Sequence, residues 1–145
     1  MALFAPGGAG GAVAAPLAGW MADRGWTRLT TLLAHALLVG NFIAAGFAVA
    51  ALSVLAFAVT AFLIDAAVQL NQITGQKIIF EISEEARGRV NSIYMTSMFV
   101  VGASGSLIGS ATFAAGGWNL SARVGAGIGA LSFGIFLLCD RAQEP

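Results

Sequence analysis

Gly19-Trp20-Met21-Ala22-Asp23-Arg24-Gly25-Trp26-Thr27-Arg28 is the first break in an otherwise apolar chain. The protein has seven Lys and Arg and seven Asp and Glu in 145 residues, and three of these charges fall inside this decapeptide. One long apolar segment runs into it and another runs out of it. Helix, charged tight turn, helix is how a chain reverses at a membrane face. Gly19 is expected to let two helix ends approach closely. Asp23 is expected to cap the N–H groups that open the next helix. Arg24 and Arg28 belong at headgroup level, on the cytoplasmic side by the positive-inside rule.

Composition sets the class. Hydrophobic residues make up 58% of the chain, charged residues 10%, and the mean hydropathy is +0.85. A soluble domain carries roughly a quarter charged residues, and a core of this size cannot hide so much apolar surface. The net charge is zero, which gives no basic footprint for nucleic acid. Cys139 is the single cysteine, so there is no disulfide within the chain and no Cys-based metal site. No nucleophile–base set or phosphate loop points to catalysis, and no motif points to a cofactor. The start of the sequence lacks the basic n-region of a signal peptide, so the spans themselves must drive insertion.

The charge-free runs predict an all-α, polytopic membrane protein with about five spans: residues 2–22, 29–50, 52–75, 90–115 and 121–139. Each is close to the ~20 residues that cross a bilayer. In the first, Gly7 and Gly11 have the spacing of close helix packing, and Pro16 is expected to kink it. A short uncharged join near 49–53 separates the second and third spans. The fourth carries a small-residue seam through Gly102, Gly105, Ser106, Gly109 and Ser110, read as a packing surface. Gly116-Gly117-Trp118-Asn119 is the next turn, with Trp118 suited to the interface and Asn119 or Ser121 to capping. The last span carries Gly125 and Gly129 at packing spacing.

Two spans hold polar groups that need an explanation. His35 and Asn41 are the strongest polar side chains of the second. His35 is either a functional group or a histidine hydrogen-bonded between helices. The third holds Asp65, Gln69, Gln72 and Gln76, spaced four, three and four apart and therefore on one helix face. An Asp facing lipid costs about 2.5–3.5 kcal/mol, so the stripe must face other helices or a wet cavity. One reading makes it a cavity wall in which Asp65, Gln69 and Gln72 bind substrate or a proton. The other makes it polar glue, with Asp65 paired to a donor elsewhere. If Asp65 lies deep, that donor is His35, a hydroxyl, an amide, water or a helix outside this chain. If it lies near the charged loops, Arg87 or Arg89 reaches it.

Gly19, Asp23, Arg24 and Arg28 resemble, in their spacing, the Gly-x-x-x-Asp-(Arg/Lys)-x-Gly-x-(Arg/Lys) loop of the major facilitator superfamily. Trp26 stands where the second glycine is expected, and Gly25 lies one residue early. A second resemblance lies in Glu84-Glu85-Ala86-Arg87-Gly88-Arg89, similar to the family's Pro-Glu-x-Arg-Gly-(Arg/Lys) loops, with Glu84 in place of the proline. The segment from Asp65 to Met95 also looks like bacterial sugar-efflux and multidrug-type members. The resemblance implies a C-terminal half, helices eight to twelve, although helices two to six also fit the order. It implies a cytoplasmic charge network of Gly19, Asp23, Arg24, Arg28, Glu85, Arg87, Gly88 and Arg89 that latches one conformation.

Arg24, Arg28, Lys77, Arg87, Arg89 and Arg141 fall on one side of the spans and Arg123 on the other. That sets both loops and the C-terminus in the cytoplasm, in a multi-pass protein of the bacterial inner membrane. A transporter of this type encloses its site between two six-helix bundles, which five helices cannot do. Two functions are therefore expected. One is a fragment of a secondary active permease moving a small solute or drug outward, with or without proton coupling, its partners being the bilayer, the small-molecule substrate and the missing N-terminal half. The alternative is a membrane structural or interaction subunit that packs partner helices on its Gly-rich seams.

Overall fold

The computed structural model describes residues 5–50, 54–82 and 85–141. The first residues of the first expected span, most of the join near 49–53, Glu84 and the tail after Arg141 lie outside them. Four helices make up the described chain: α1 (Ala5–Asp23), α2 (Thr27–Ala50), α3 (Val54–Ile82) and α4 (Arg87–Arg141). No strand occurs among the described residues. Three of the helices, α2, α3 and α4, are long and apolar enough to cross a membrane.

α4 is broken at its middle. Gly117 has φ +64°, a left-handed conformation that glycine adopts without a Cβ penalty, and Gly116 beside it is also non-helical. The break is a reversal, because Thr112 Oγ1 and Ser121 Oγ lie 3.1 Å apart across it. Nine residues of straight helix would separate them by about 13 Å. α4 is thus a hairpin of two arms, residues 87–115 and 118–141. Ser121 bonds Thr112 and the Gly117 carbonyl and does not cap its arm.

The turn between α1 and α2 is a glycine C-cap. Gly25 N–H donates to Ala22 O and Trp26 N–H to Met21 O, both at 3.0 Å, with Gly25 at φ +76°. This pair of bonds is the Schellman arrangement, and it requires a left-handed residue at that place. The glycine one residue early is therefore the one that ends α1. Asp23 belongs to the last turn of α1 and does not cap α2, whose first carbonyl acceptor is Trp26 O, bonded by Thr30 N–H.

Small residues set the packing. α1 and α3 run parallel: Gly10 and Gly11 lie on residues 62–69, and Ala22 meets Lys77 at the far end. An ideal Cβ on Gly10 would stand 2.1 Å from Phe62 O, so the two backbones touch. Lipid tails supply no hydrophobic drive between helices, and such close van der Waals contact replaces it. The core cluster is correspondingly small: Ala14, Ala18, Ala34 and Leu70. α1 remains helical through Pro16. α2 runs antiparallel to the second arm of α4, with Phe42 on Gly125 and Val39 on Gly129. The fully buried Thr30 and Thr74 return their hydroxyls to carbonyls four residues back.

The first arm is different. Every residue from 99 to 111 is exposed, and no other side chain or helix among the described residues lies within 4 Å of a Cβ built on Gly102, Gly105 or Gly109. The seam read from the sequence makes no close helix contact there; Gly105, Gly109 and Ser110 line a cavity of about 1040 Å³ shared with Phe42, Gly125 and Gly129, and the Gly109 carbonyl accepts the Ser121 hydroxyl at 3.5 Å. Phe47, Leu55, Phe99, Leu107 and Leu138 are also exposed, as lipid-facing side chains are.

Gly10→Ala should force α1 and α3 apart and lower stability by about 1–3 kcal/mol, the usual cost of overpacking. Gly40, in α2, has open space around it, so Gly40→Ala should be neutral or stabilising by up to about 1 kcal/mol through helix propensity. Unfolding midpoints in detergent micelles check both; equal behaviour of the two variants would remove the close contact.

Candidate transport site and charged face

The helix directions bring the charged segments to one end of the bundle. Lys77 donates to Ala22 O, a carbonyl in the last turn of α1, and reaches Asp23 Oδ1 at 3.4 Å. Arg28 Nε donates to Asp140 Oδ2 at 2.8 Å, tying the start of α2 to the end of α4. Arg87 Nε donates to Phe80 O at 3.3 Å. Asp23, Gln76, Lys77, Glu81 and Arg87 line one cavity of about 510 Å³, together with Gly19. Gly19 has no neighbour within 4 Å of a built Cβ, so it opens this cavity and is not a close-approach point. Gly88 is likewise unconfined. Arg24 stacks over Trp20 at 3.8 Å, and Trp20 meets Trp26 edge-on, which packs the turn's own rings beneath its charge. Glu85 and Arg89 are exposed near the start of α4. Lys77 is the member of this network that motif matching passes over, and its signal was its place at the polar end of α3.

Asp65 sits about 18 Å along α3 from Lys77, deep relative to the charged end. Its Oδ2 accepts the Gly11 N–H at 2.5 Å, and its Oδ1 accepts none among the described residues. Gln69 shares this place: a Cβ on Gly11 would meet Gln69 Cγ at 2.7 Å and Asp65 Oδ2 at 2.8 Å. The absence of that Cβ is what admits the carboxylate to the α1 backbone. The donor is thus a backbone amide of α1, and no Lys or Arg is involved. Gln72 lies apart, its carbonyl accepting the Tyr94 hydroxyl at 3.2 Å. Asp65 and Gln69 face α1, Gln76 reaches the charged cavity, and the Tyr94 bond is to the Gln72 main chain and not to its side chain.

Asp65 also lines a second cavity of about 410 Å³ between α2, α3 and the α4 elbow, with Phe42, Phe57, Thr60 and Trp118. Trp118 donates its indole N–H to Ala45 O at 3.0 Å and packs edge-on against Phe57, with centroids 5.0 Å apart. It pins the elbow to α2 and α3 as well as standing at that end of the bundle.

His35 is on the opposite side of α2. Its Nδ1 lies 2.8 Å from Thr31 O and its Nε2 3.2 Å from Ser132 Oγ. A carbonyl only accepts, so Nδ1 donates to Thr31 O, and Nε2 pairs with the Ser132 hydroxyl. Phe133 and Phe136 stack near it, each 5.6 Å between centroids. The structure brings His35 to the second arm of α4 and does not bring it to Asp65. Asn41 is buried, with its amide donating to Leu37 O.

Helices of this length and apolarity, closed by glycine turns and carrying most of their charge at one end, define a multi-pass α-helical membrane protein. The Major Facilitator Superfamily model matches residues 1–145, and the chain belongs to that family. It is 38% identical over 101 residues to a putative uncharacterized transporter, YgaY, of Escherichia coli K12, covering 70% of this chain and 25% of that protein. The O157:H7 counterpart, an uncharacterized transporter, matches equally. The matched region spans about a quarter of the length of these curated relatives. No solved structure matches.

Lys77→Met should cost about 1.5–3 kcal/mol, the range for a hydrogen bond to a charged donor that is part-buried. Asp23→Asn should cost less than about 1 kcal/mol, because Asp23 is largely exposed. Detergent unfolding of the two variants side by side tests this order, which a purely Coulombic loop network would equalise.

Proposed function

We propose that this chain is part of a secondary active transporter that moves a small solute outward across the bacterial inner membrane in exchange for protons. Five passes carry it, α1, α2, α3 and the two arms of α4, near the spans expected from the sequence. Both charged loops and the C-terminus are cytoplasmic. Family membership supports transport. The observation that carries the mechanism is a carboxylate, Asp65, held within an apolar helix by a backbone N–H and, among the described residues, by no cationic side chain. A carboxylate at membrane depth needs a partner or water, and intramembrane acids mark substrate and proton pathways. The described contacts bring only Gly11 of α1 and Gln69 of its own helix against it, and the acid on α1, Asp23, is about 18 Å further along.

The exposed Gly and Ser face of the first arm favours a second reading, a membrane subunit that packs partner helices. Seven upstream helices in frame with this sequence would favour the transporter, and their absence from the gene would favour the subunit.

In the complete protein, Asp65→Asn should flatten the dependence of transport on pH and lower the rate at least about tenfold. Vesicle uptake measured across a pH series tests it; an unchanged profile with unchanged substrate affinity would remove Asp65 from the mechanism. Asp23→Asn should reduce transport while leaving membrane insertion intact, since a pair worth about 1 kcal/mol is enough to bias a near-balanced conformational equilibrium. Equal loss of transport and insertion would assign Asp23 to folding instead.

A further inference from the structure

We infer that one anionic phospholipid binds where α2 meets the second arm of α4 near the elbow, with its phosphate on Arg123 and an acyl chain in the groove below. This goes beyond the transporter reading and does not rest on it. Three observations converge. Arg123 is the one charged residue between Arg89 and Asp140. Among the described residues its guanidinium makes no ion pair, and Asp65, the one charge between Arg28 and Lys77, is bonded to the Gly11 N–H instead. Arg123 also lines a cavity of about 320 Å³ between α2 and the second arm, with Asn119 beside it and Ile43 and Phe47 across from it.

The seam has a small-residue floor and a polar outer end. A Cβ built on Gly46 would lie 3.8 Å from the Ala122 Cβ, so the helices stay close with no bulky side chain between them. Asn119, Ala122, Arg123 and Ala126 all line the cavity, and their i, i+3, i+4, i+7 spacing puts them on one helix face. Ile43 and Phe47 form the opposite wall and are exposed, as lipid-facing side chains are. Helical side chains lean toward the N-terminus of their own helix, which for the second arm is the elbow. Arg123 stands about 9 Å beyond Gly117 along the arm, so its long side chain leans outward to the headgroups while its stem stays in the apolar layer. Ala126 and Ile43 lie one turn further in, and the groove therefore runs inward from the charge.

The chemistry of the seam selects its occupant. An arginine fork matches phosphate oxygens in a bidentate pair, and the Asn119 amide beside it offers further donors. No Asp or Glu lines the cavity, so the ammonium of a zwitterionic headgroup would find no opposite charge there. A headgroup of net negative charge, such as phosphatidylglycerol, leaves nothing unpaired. A soluble phosphate would leave Ile43, Phe47 and Ala126 uncovered, which commits the site to a lipid. An acyl chain gains no hydrophobic energy on moving from the bilayer into the groove. The groove thus supplies the shape, and the phosphate contact supplies the preference.

The test uses the complete protein in phosphatidylcholine nanodiscs doped with a trace of a photoreactive lipid. The probes are phosphatidylglycerol and phosphatidylcholine, each with a diazirine in the same acyl chain, and the labelled peptides are mapped by mass spectrometry. Labelling of residues 43–47 and 119–126 should be about fivefold greater with phosphatidylglycerol, the effect of one basic residue on an anionic lipid. Arg123→Gln should abolish that preference. Ala126→Phe, which fills the groove, should lower labelling by both probes, and it carries the test should Arg123→Gln fail to fold. Excess inorganic phosphate should leave the labelling unchanged. Equal labelling by the two probes would overturn the proposal, as would a preference that survives Arg123→Gln. Labelling unaffected by Ala126→Phe would put the chain elsewhere and overturn it too. Loss of labelling on adding inorganic phosphate would assign the site to the soluble ion and retire the lipid.

Discussion

The close contact of α1 with α3 is the constraint on which the rest of the structure depends. Inside a bilayer the hydrophobic effect does not press helices together, so contact must come from shape and from hydrogen bonds. Gly10 lets the α1 backbone touch Phe62 O, and Gly11 lets the Asp65 carboxylate reach a main-chain N–H. One glycine supplies the shape and the next supplies the bond. The parallel course of the two helices follows from this contact and places Ala22 against Lys77 at the charged end. The carboxylate of the candidate site and the packing of the bundle are therefore a single arrangement.

A second contact fixes the other half. Gly117 reverses α4, and Trp118 anchors the reversal to Ala45 and Phe57. The second arm then lies along α2 through Gly125, Gly129 and His35, and ends at the Arg28–Asp140 pair. The first arm is left exposed over its small-residue face. The bundle thus has a packed side, α1 to α3 with the second arm, and an open side. An open, glycine-rich face in a chain that spans about a quarter of its relatives' length is consistent with further helices packing there.

Much of the charged end was legible in the sequence, because charges stand out in an apolar chain and fall at its turns. Two details were not. Asp23 read as an N-cap, whereas the Schellman bonds of Gly25 and Trp26 put it at the end of α1. Gly19 read as a close-approach residue, whereas the close approach belongs to Gly10 and Gly11. Spacing shows which residues share a face, and it does not show which neighbour that face meets. His35 illustrates the same limit. Its two alternatives could be written from the sequence, but its actual partners, Thr31 and Ser132, lie four and ninety-seven residues away.

The sequence by itself determined the class: helices, their approximate number, and the gathering of charge at turns. Those properties follow from local composition and from the cost of exposing polar groups to lipid. It also placed Asp65, Gln69 and Gln72 on one α3 face, since helical periodicity is local. Only the tertiary structure decided that Asp65 and Gln69 meet α1 while Gln76 reaches the charged cavity, and that Asp65 stands beside Phe42, Phe57 and Trp118. Those rings come from three elements, and no local rule links them. Their meeting is set by how closely glycine lets each backbone approach the next, which is a property of the assembled helices.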